Sequence, residues 1–448
     1  MKRILFTMLS ALPMGLFAQS SVKLITLDPG HFHAALIQKS MYPQVDPTVH
    51  VYSEEGRDLK LHMDRIEGYN KRNTDPTAWK EQVYTGKDFF QKMITEKKGN
   101  VVVLAGNNRL KTDYIVQSIQ NGFHVFADKP MAIDSKGFKK LQTAFTTAQK
   151  NGLQLYDIMT ERYEITTMLQ RAFSMEPELF GTLEKGTAED PSVTKISVHH
   201  FYKYVSGSVL TRPSWFFDDK QQGAGIVDVT THLVDLIQWE CFPEQIIDYK
   251  KNVKILNARS WTTPVSSADF TAVTKEPVPS YLEPIRDANG DLQVKCNGEF
   301  TYQINGVNAK VSVVWNYKAP EGTGDTHYSL MRGTNAALII KQGKEEQYKP
   351  TLYIEQRTKD PNFEQKLKAA LVKVESKFPG IGLAKHASGW IVTVPEKYNN
   401  GHEAHFAQVT EKFLGYLQNK NMPAWEVPNM IAKYYTTTKA KELSEKSK

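Results

Sequence analysis

Apolar residues in the first third of the chain fall in short runs of strand length, at 22–27, 49–53, 101–105, 124–127 and 153–157, separated by stretches of helical periodicity. The run at 101–105, Val-Val-Val-Leu-Ala, has no polar position, as a strand buried on both faces requires. Residues 114–121 and 135–151 repeat apolar positions at helical spacing and end at Gly122 and Gly152, where glycine can close a last turn. Strands and helices alternating in this way predict a doubly wound parallel α/β domain over 22–160, with ligands at the carboxyl ends of its strands.

Beyond residue 160 the pattern changes. Helical spacing over 166–173 and a strand pattern over 195–202 precede an apolar helix over 226–239, and strand patterns then follow at 254–261, 299–304, 309–317, 336–342 and 351–356. This predicts an α+β C-terminal domain over 161–430 with a large, mainly antiparallel sheet, whose open face suits a homo-oligomer. Residues 262–291, rich in Pro, Ser and acidic residues, read as a surface excursion. Helical patterns at 362–377 and 404–420 can pack back on the first domain, and 431–448 reads as a basic tail, frayed from 442.

Within the apolar helix, Asp228, His232 and Asp235 fall at i, i+4 and i+7, one narrow stripe, while Ile226, Val229, Leu233, Leu236 and Ile237 cover the other side. Ionisable groups inside a core are costly unless partnered, and an acid beside a histidine is what proton transfer needs. A purely structural Asp-His hydrogen bond would leave the same pattern.

Composition narrows the class. At 448 residues and 40% hydrophobic, the chain fills two full domains. Lys2 and Arg3, an apolar run over 4–17 and Ala18 read as a signal peptide over 1–18, which predicts export to the periplasm or cell surface. No later segment has the length and apolarity of an integral membrane span. The net charge of +7 is dispersed, and no basic patch interleaves with aromatics, so no nucleic-acid partner is expected. Cys241 and Cys296 are the whole cysteine complement; they read as two buried thiols, with a single bridge the alternative.

Residues 101–132, VVVLAGNNRLKTDYIVQSIQNGFHVFADKPMA, resemble the fourth- and fifth-strand region of the Gfo/Idh/MocA oxidoreductases. The family's Glu-Lys-Pro signature stands here as Asp128-Lys129-Pro130, and the Asn of its strand-four loop as Asn108. Its second motif, a Gly-rich turn leading into Asp-x-x-x-His, matches Gly223-Ala224-Gly225 through Asp228 and His232, preceded by the similar Arg212-Pro213-Ser214-Trp215. The chain also resembles an exported, Bacteroidetes-type subgroup with its own C-terminal domain.

The resemblance implies a Rossmann-like dinucleotide-binding domain, NAD or NADP as cofactor, and a sugar or glycoside as substrate. It places Lys129, Asp228 and His232 at the chemistry. His232 is the general base, Asp228 orients it or binds a hydroxyl, and Lys129 stabilises alkoxide charge. Cofactor contacts fall at Gly30, His31, Phe32, Glu54, Asn107, Asn108, Asp128 and Lys129; substrate contacts at Arg162, Tyr163, Trp215, Asp228 and His232.

The first turn departs from the family. Instead of G-x-G-x-x-G it reads Asp28-Pro29-Gly30-His31-Phe32-His33, one glycine with an acid and two histidines. Glu54 or Glu55 after the second strand suits a ribose diol and favours NAD over NADP. Neither His31/His33 nor His402/His405 has a third ligand at sequence spacing, so no metal is expected. Two other readings stand beside the oxidoreductase: an NAD-dependent glycosidase working by transient oxidation at C3, and a carbohydrate-binding protein that kept the fold without the cofactor.

Overall fold

The computed structural model describes residues 22–205, 208–321 and 323–446, so the expected signal peptide lies outside the described residues. The N-terminal sheet is parallel throughout. Its strands are β1 (Leu24–Leu27), β2 (Thr48–Tyr52), β3 (Lys80–Tyr84), β4 (Val101–Leu104), β5 (His124–Asp128) and β6 (Leu155–Ile158), in the order β3-β2-β1-β4-β5-β6. Helices α1 (His33–Ile37), α2 (Arg57–Lys71), α3 (Phe89–Glu96), α4 (Asn108–Gln120) and α5 (Ser135–Lys150) make the crossovers. β1, β4 and β6 are buried along their whole length, hence their unbroken apolar runs. Edge strand β3, half-exposed, has no such run and leaves no sequence signal. α4 starts earlier than its periodicity because Asn107 caps it, accepting from the Arg109 N–H. The strand order reverses between β1 and β4, and ligands of such sheets bind outside this switch point.

The second domain is built on nine strands: β7 (Val193–Tyr202), β10 (Val253–Val265), β11 (Leu292–Ile304), β12 (Val307–Lys318), β13 (Thr326–Arg332), β14 (Ala336–Lys341), β15 (Thr351–Gln356), β16 (Gly382–His386) and β17 (Gly389–Thr393). Their order is β10-β11-β12-β7-β13-β14-β15-β17-β16, parallel only at β12–β7. A small hairpin, β8 (Tyr204–Val205) with β9 (Ser208–Val209), follows β7. Helices α6 (Ile165–Ser174), α7 (Pro177–Phe180) and α11 (Phe363–Glu375) close one apolar core; α8 (Thr230–Cys241) and α10 (Ser267–Thr274) close another, and the short α9 (Tyr249–Asn252) leads into β10. Both thiols are free, and burial pushes Cys296 up to about 12.

Three expectations are corrected. Residues 262–291 are not a surface excursion: β10 runs on to Val265, and Phe270, Val273 and Leu282 are buried beneath the segment. The apolar helix begins at Thr230, not Ile226, so Asp228 sits in the turn before it and the three-residue stripe breaks up. The basic tail is the second half of a packed helix, α13 (Glu426–Lys446), which together with α12 (His402–Asn419) returns to the first domain. Phe406, Phe413, Met430 and Tyr434 join the core of β4 and β5, with Phe413 stacked on Phe126 at 4.5 Å.

The two domains are joined by a buried ionic network. Arg162, in the turn after β6, holds Asp235 of α8 in a two-pronged pair at 2.6 and 2.7 Å, and reaches Glu426 at 3.2 Å. Lys433 of α13 bridges Asp235 and Asp157 of β6, both at 2.7 Å. Removing one partner of a buried pair strands a charge, at a cost of about 3–5 kcal/mol. Lys433→Ala is therefore expected to lower unfolding free energy by about that amount, read from urea denaturation of the full chain.

Candidate active site

The Gly-rich turn owes its composition to a close crossing: a Cβ on Gly225 would lie 1.6 Å from the Cys296 carbonyl oxygen on β11. That crossing fixes where Asp228 emerges. Lys129, just past β5, donates from Nζ to Asp228 Oδ1 at 2.7 Å, and Gln222 Nε2 donates to Asp228 Oδ2 at 3.0 Å. Burial pushes the Asp228 carboxyl up, but Lys129 and Gln222 more than offset it and hold the group below its ordinary value. Asp228 therefore does not orient His232, because one carboxylate oxygen is taken by Lys129 of the first domain and the other by Gln222. His232 Nδ1 is buried and has no hydrogen-bond partner among the described residues. Burial, then Lys129, pushes His232 down to about 3, so its imidazole is neutral.

Lys129, Asp228 and His232 line one cavity of about 1730 Å³ between the domains, together with His31 and Phe32 from the first turn and Glu161 from the turn after β6. The wall formed by α12 adds His402, whose Nδ1 lies 3.3 Å from Glu161 Oε1, and His405. The β-sheet wall adds Asp325, which accepts from Lys203 Nζ at 2.6 Å and lies 3.0 Å from His199 Nδ1.

The dinucleotide turn is rebuilt. Asp28 takes the first-glycine place at φ 49°, Gly30 the second and His33 the third. Burial, followed by Asp58 and Glu54, raises Asp28 to about 6, so it holds its proton more readily beside a phosphate. A Cβ on Gly30 would lie 2.9 Å from Asp58 Oδ2 and 3.1 Å from Trp215 Cζ2. The residues fit NAD at both ends: Glu54 is exposed beyond β2, where it would meet a ribose diol, and Lys129, just past β5, lines the cavity; the predicted contact Asp128 ends β5 with its carboxylate turned to His33 Nδ1 at 2.9 Å and does not line it. Asn107 and Asn108 face this groove only indirectly, since their side-chain amides donate to Gln221 Oε1 at 2.8 Å and to the Gln222 carbonyl at 2.7 Å.

The three other substrate contacts are corrected. Arg162 is consumed by Asp235 and Glu426 and does not line the cavity. Tyr163 packs on the core of the first domain. Trp215 turns away from the cavity to cover Gly30, its indole N–H donating to Asp58 Oδ2 at 2.8 Å; its neighbour Phe216 lines the cavity instead. Sequence reasoning missed Gln221, Gln222, Asp58 and Glu161. The two glutamines abut the Gly-rich turn and were within reach, whereas Glu161 has no local signature.

Five imidazoles, His33, His62, His232, His327 and His405, are pushed down to between about 3 and about 4 by burial. The unfolded chain therefore takes up protons below its ordinary histidine value of 6.5 that the folded chain refuses. Their contribution is complete above that value and is lost as pH falls toward 4. Asp28 and Glu81, raised to about 6 and about 7, act oppositely, while Asp228 and Asp235, held below the ordinary carboxyl value, add to the loss at low pH. Unfolding free energy is expected to drop from pH 7 to pH 4.5, by at most about 1.4 kcal/mol per pH unit for each uncompensated imidazole, in urea titrations at stepped pH.

Two family models match the chain: "Oxidoreductase family, NAD-binding Rossmann fold" over residues 48–156, and "Putative oxidoreductase C terminal domain" over residues 169–445. The first begins at β2, past the rebuilt turn. No curated protein matches. Among solved structures, a protein from Parabacteroides merdae described as a "putative oxidoreductase" is 52% identical, covers 96% of this chain and 99% of its own, and superposes with a TM-score of 0.94. A levoglucosan dehydrogenase in complex with NADH and levoglucosan is 13% identical, with 95% and 97% covered and a TM-score of 0.59. A "putative myo-inositol dehydrogenase" from Sinorhizobium meliloti is 13% identical, with 96% and 98% covered and a TM-score of 0.55. These last two share the fold. With a parallel NAD-binding Rossmann domain followed by this C-terminal domain over most of its length, the chain belongs to the Gfo/Idh/MocA oxidoreductase family, in the branch defined by that C-terminal domain.

Proposed function

We propose that the protein moves hydride between NAD and a CH–OH carbon of a sugar or glycoside. The observation that carries this reading is the meeting of Lys129, Asp228 and His232 on the wall of one large cavity beside the carboxyl end of β5. When bound, NAD would supply the hydride acceptor or donor, with Glu54 beyond β2 and Lys129 beyond β5 as the residues to hold it. The chain's own residues handle the proton. His232, kept neutral by burial, takes the proton of the substrate hydroxyl at an imidazole nitrogen, and the Lys129 ammonium steadies the oxygen as it gains charge. Asp228 fixes Lys129 in place, and Gln222 fixes Asp228.

The cavity, about 1730 Å³, exceeds the roughly 300–1,000 Å³ of ordinary small-ligand sites, which leaves room for a sugar or glycoside beside a nicotinamide. Two names among the structural neighbours, levoglucosan and myo-inositol dehydrogenases, support the same substrate class. We further propose that the mature chain is exported and keeps its cofactor tightly bound, recycling it between oxidation and reduction. A second reading, cleavage of the glycoside by transient oxidation at C3, is favoured by the Glu161–His402 pair across the cavity, which offers a separate acid and base.

The chain lacking residues 1–18 is expected to release about one nicotinamide dinucleotide per molecule on denaturation, or to bind added NAD in titration. Lys129→Ala and His232→Ala are expected to cut turnover of the best sugar by about 10²–10⁴-fold with the fold retained, and His232→Ala to leave NAD binding unchanged. Unchanged turnover would remove both from the chemistry. Sugar binding without NAD binding or turnover would establish a carbohydrate-binding protein instead. Aglycone release without net NADH would select the glycosidase.

A further inference from the structure

The rebuilt first turn brings two imidazoles to a carboxylate that its family-like neighbour Lys129 leaves free. His33 Nδ1 lies 2.9 Å, and His31 Nδ1 3.7 Å, from the same oxygen, Asp128 Oδ2. The three potential ligand atoms all fall within 4.8 Å of one another, the one such group of three among the described residues. Ligand atoms about 2.0–2.1 Å from a common ion stand roughly 3–3.5 Å apart in a tetrahedral set, so small side-chain adjustments complete the geometry.

We propose that His31, His33 and Asp128 form a binding site for a divalent transition cation of the zinc or cobalt kind. Two imidazoles and a carboxylate are a donor set these ions favour over magnesium or calcium, which take oxygen. His31 and His33 sit two residues apart where the loop after β1 enters α1, and Asp128 ends β5, so the three ligands come from the carboxyl ends of the two strands that flank β4. The imidazoles are held from behind: the His33 ring packs 4.1 Å from that of His31 and 4.7 Å from Phe406. Neither nearby lysine donates a hydrogen bond to the carboxylate itself. Lys129 is paired with Asp228, and Lys111 donates to the Asp128 main-chain oxygen at 3.1 Å. His402, paired with Glu161, stands 6.1 Å from His33 ring to ring and outside the three-atom set. Because His31, His33 and Lys129 all line the cavity, the ion's remaining position opens toward Lys129 and takes an oxygen of a bound substrate or water.

The test is a Co²⁺ titration of chelator-treated, full-length protein, followed by visible absorption, bound-metal analysis and proton NMR. The expected result is one equivalent bound, with a d–d band of low-coordinate cobalt and shifted imidazole N–H signals from two histidines. Zn²⁺ is expected to displace the band. His31→Ala, His33→Ala and Asp128→Asn should each weaken binding by more than about 100-fold, with far-UV circular dichroism unchanged. Failure of the wild-type protein to bind, signals from other than two histidines, or equal affinity in folded variants overturns the site. Since the readout is metal binding rather than turnover, it stands or falls apart from the sugar-oxidising reading.

Discussion

The carboxylate of Asp235, closed off from water between Arg162 and Lys433, sets the relation of the two domains. A lone buried carboxylate is intolerable, and here burial is outweighed by two cations drawn from different elements: the turn leaving the first domain and the last helix. Each cation is satisfied again on its far side, Arg162 by Glu426 and Lys433 by Asp157, so no single element can shift without stranding a charge. Such a network contributes geometry more than net stability. Its reach extends to the chemistry, because His232 precedes Asp235 by about one helical turn on α8. Anchoring Asp235 sets which way His232 faces.

Much of this was legible in the chain. Fully buried parallel strands announce themselves as unbroken apolar runs, so β4 and the parallel α/β class of the first domain followed from the pattern alone. Edge strand β3 did not, since half-exposed strands need no apolar face. The Lys129–Asp228–His232 group was also legible, but the partnerships within it were not. Helical spacing put Asp228 and His232 on one stripe; the turn that ends at Thr230 sent the Asp228 carboxylate to Lys129, a contact 99 residues away in sequence. Arg162 and Trp215 failed for one reason: an N–H donor near a cleft has several carboxylates to choose from, and sequence does not rank them.

The first turn shows how a dinucleotide loop survives the loss of two glycines. A left-handed residue is still required at the first position, and Asp28, an acid that tolerates that conformation better than most, supplies it. The space that the third glycine would leave is filled by the His33 ring, which packs against α12 through Phe406. What the fold gave up in close backbone approach it replaced with imidazoles and a covering indole from the second domain.

The last helix also decides when the protein can fold. β6 carries Asp157 and the first domain carries the pocket for Phe413, Met430 and Tyr434, yet those partners come far later in the chain, Tyr434 lying 277 residues beyond Asp157. As the chain leaves the ribosome, the first domain emerges with an open apolar face and an unpaired acid that no neighbouring segment can cover. It can complete its core only once α13 has been synthesised, so the two domains mature together rather than in sequence, against the usual order in which the leading domain folds first.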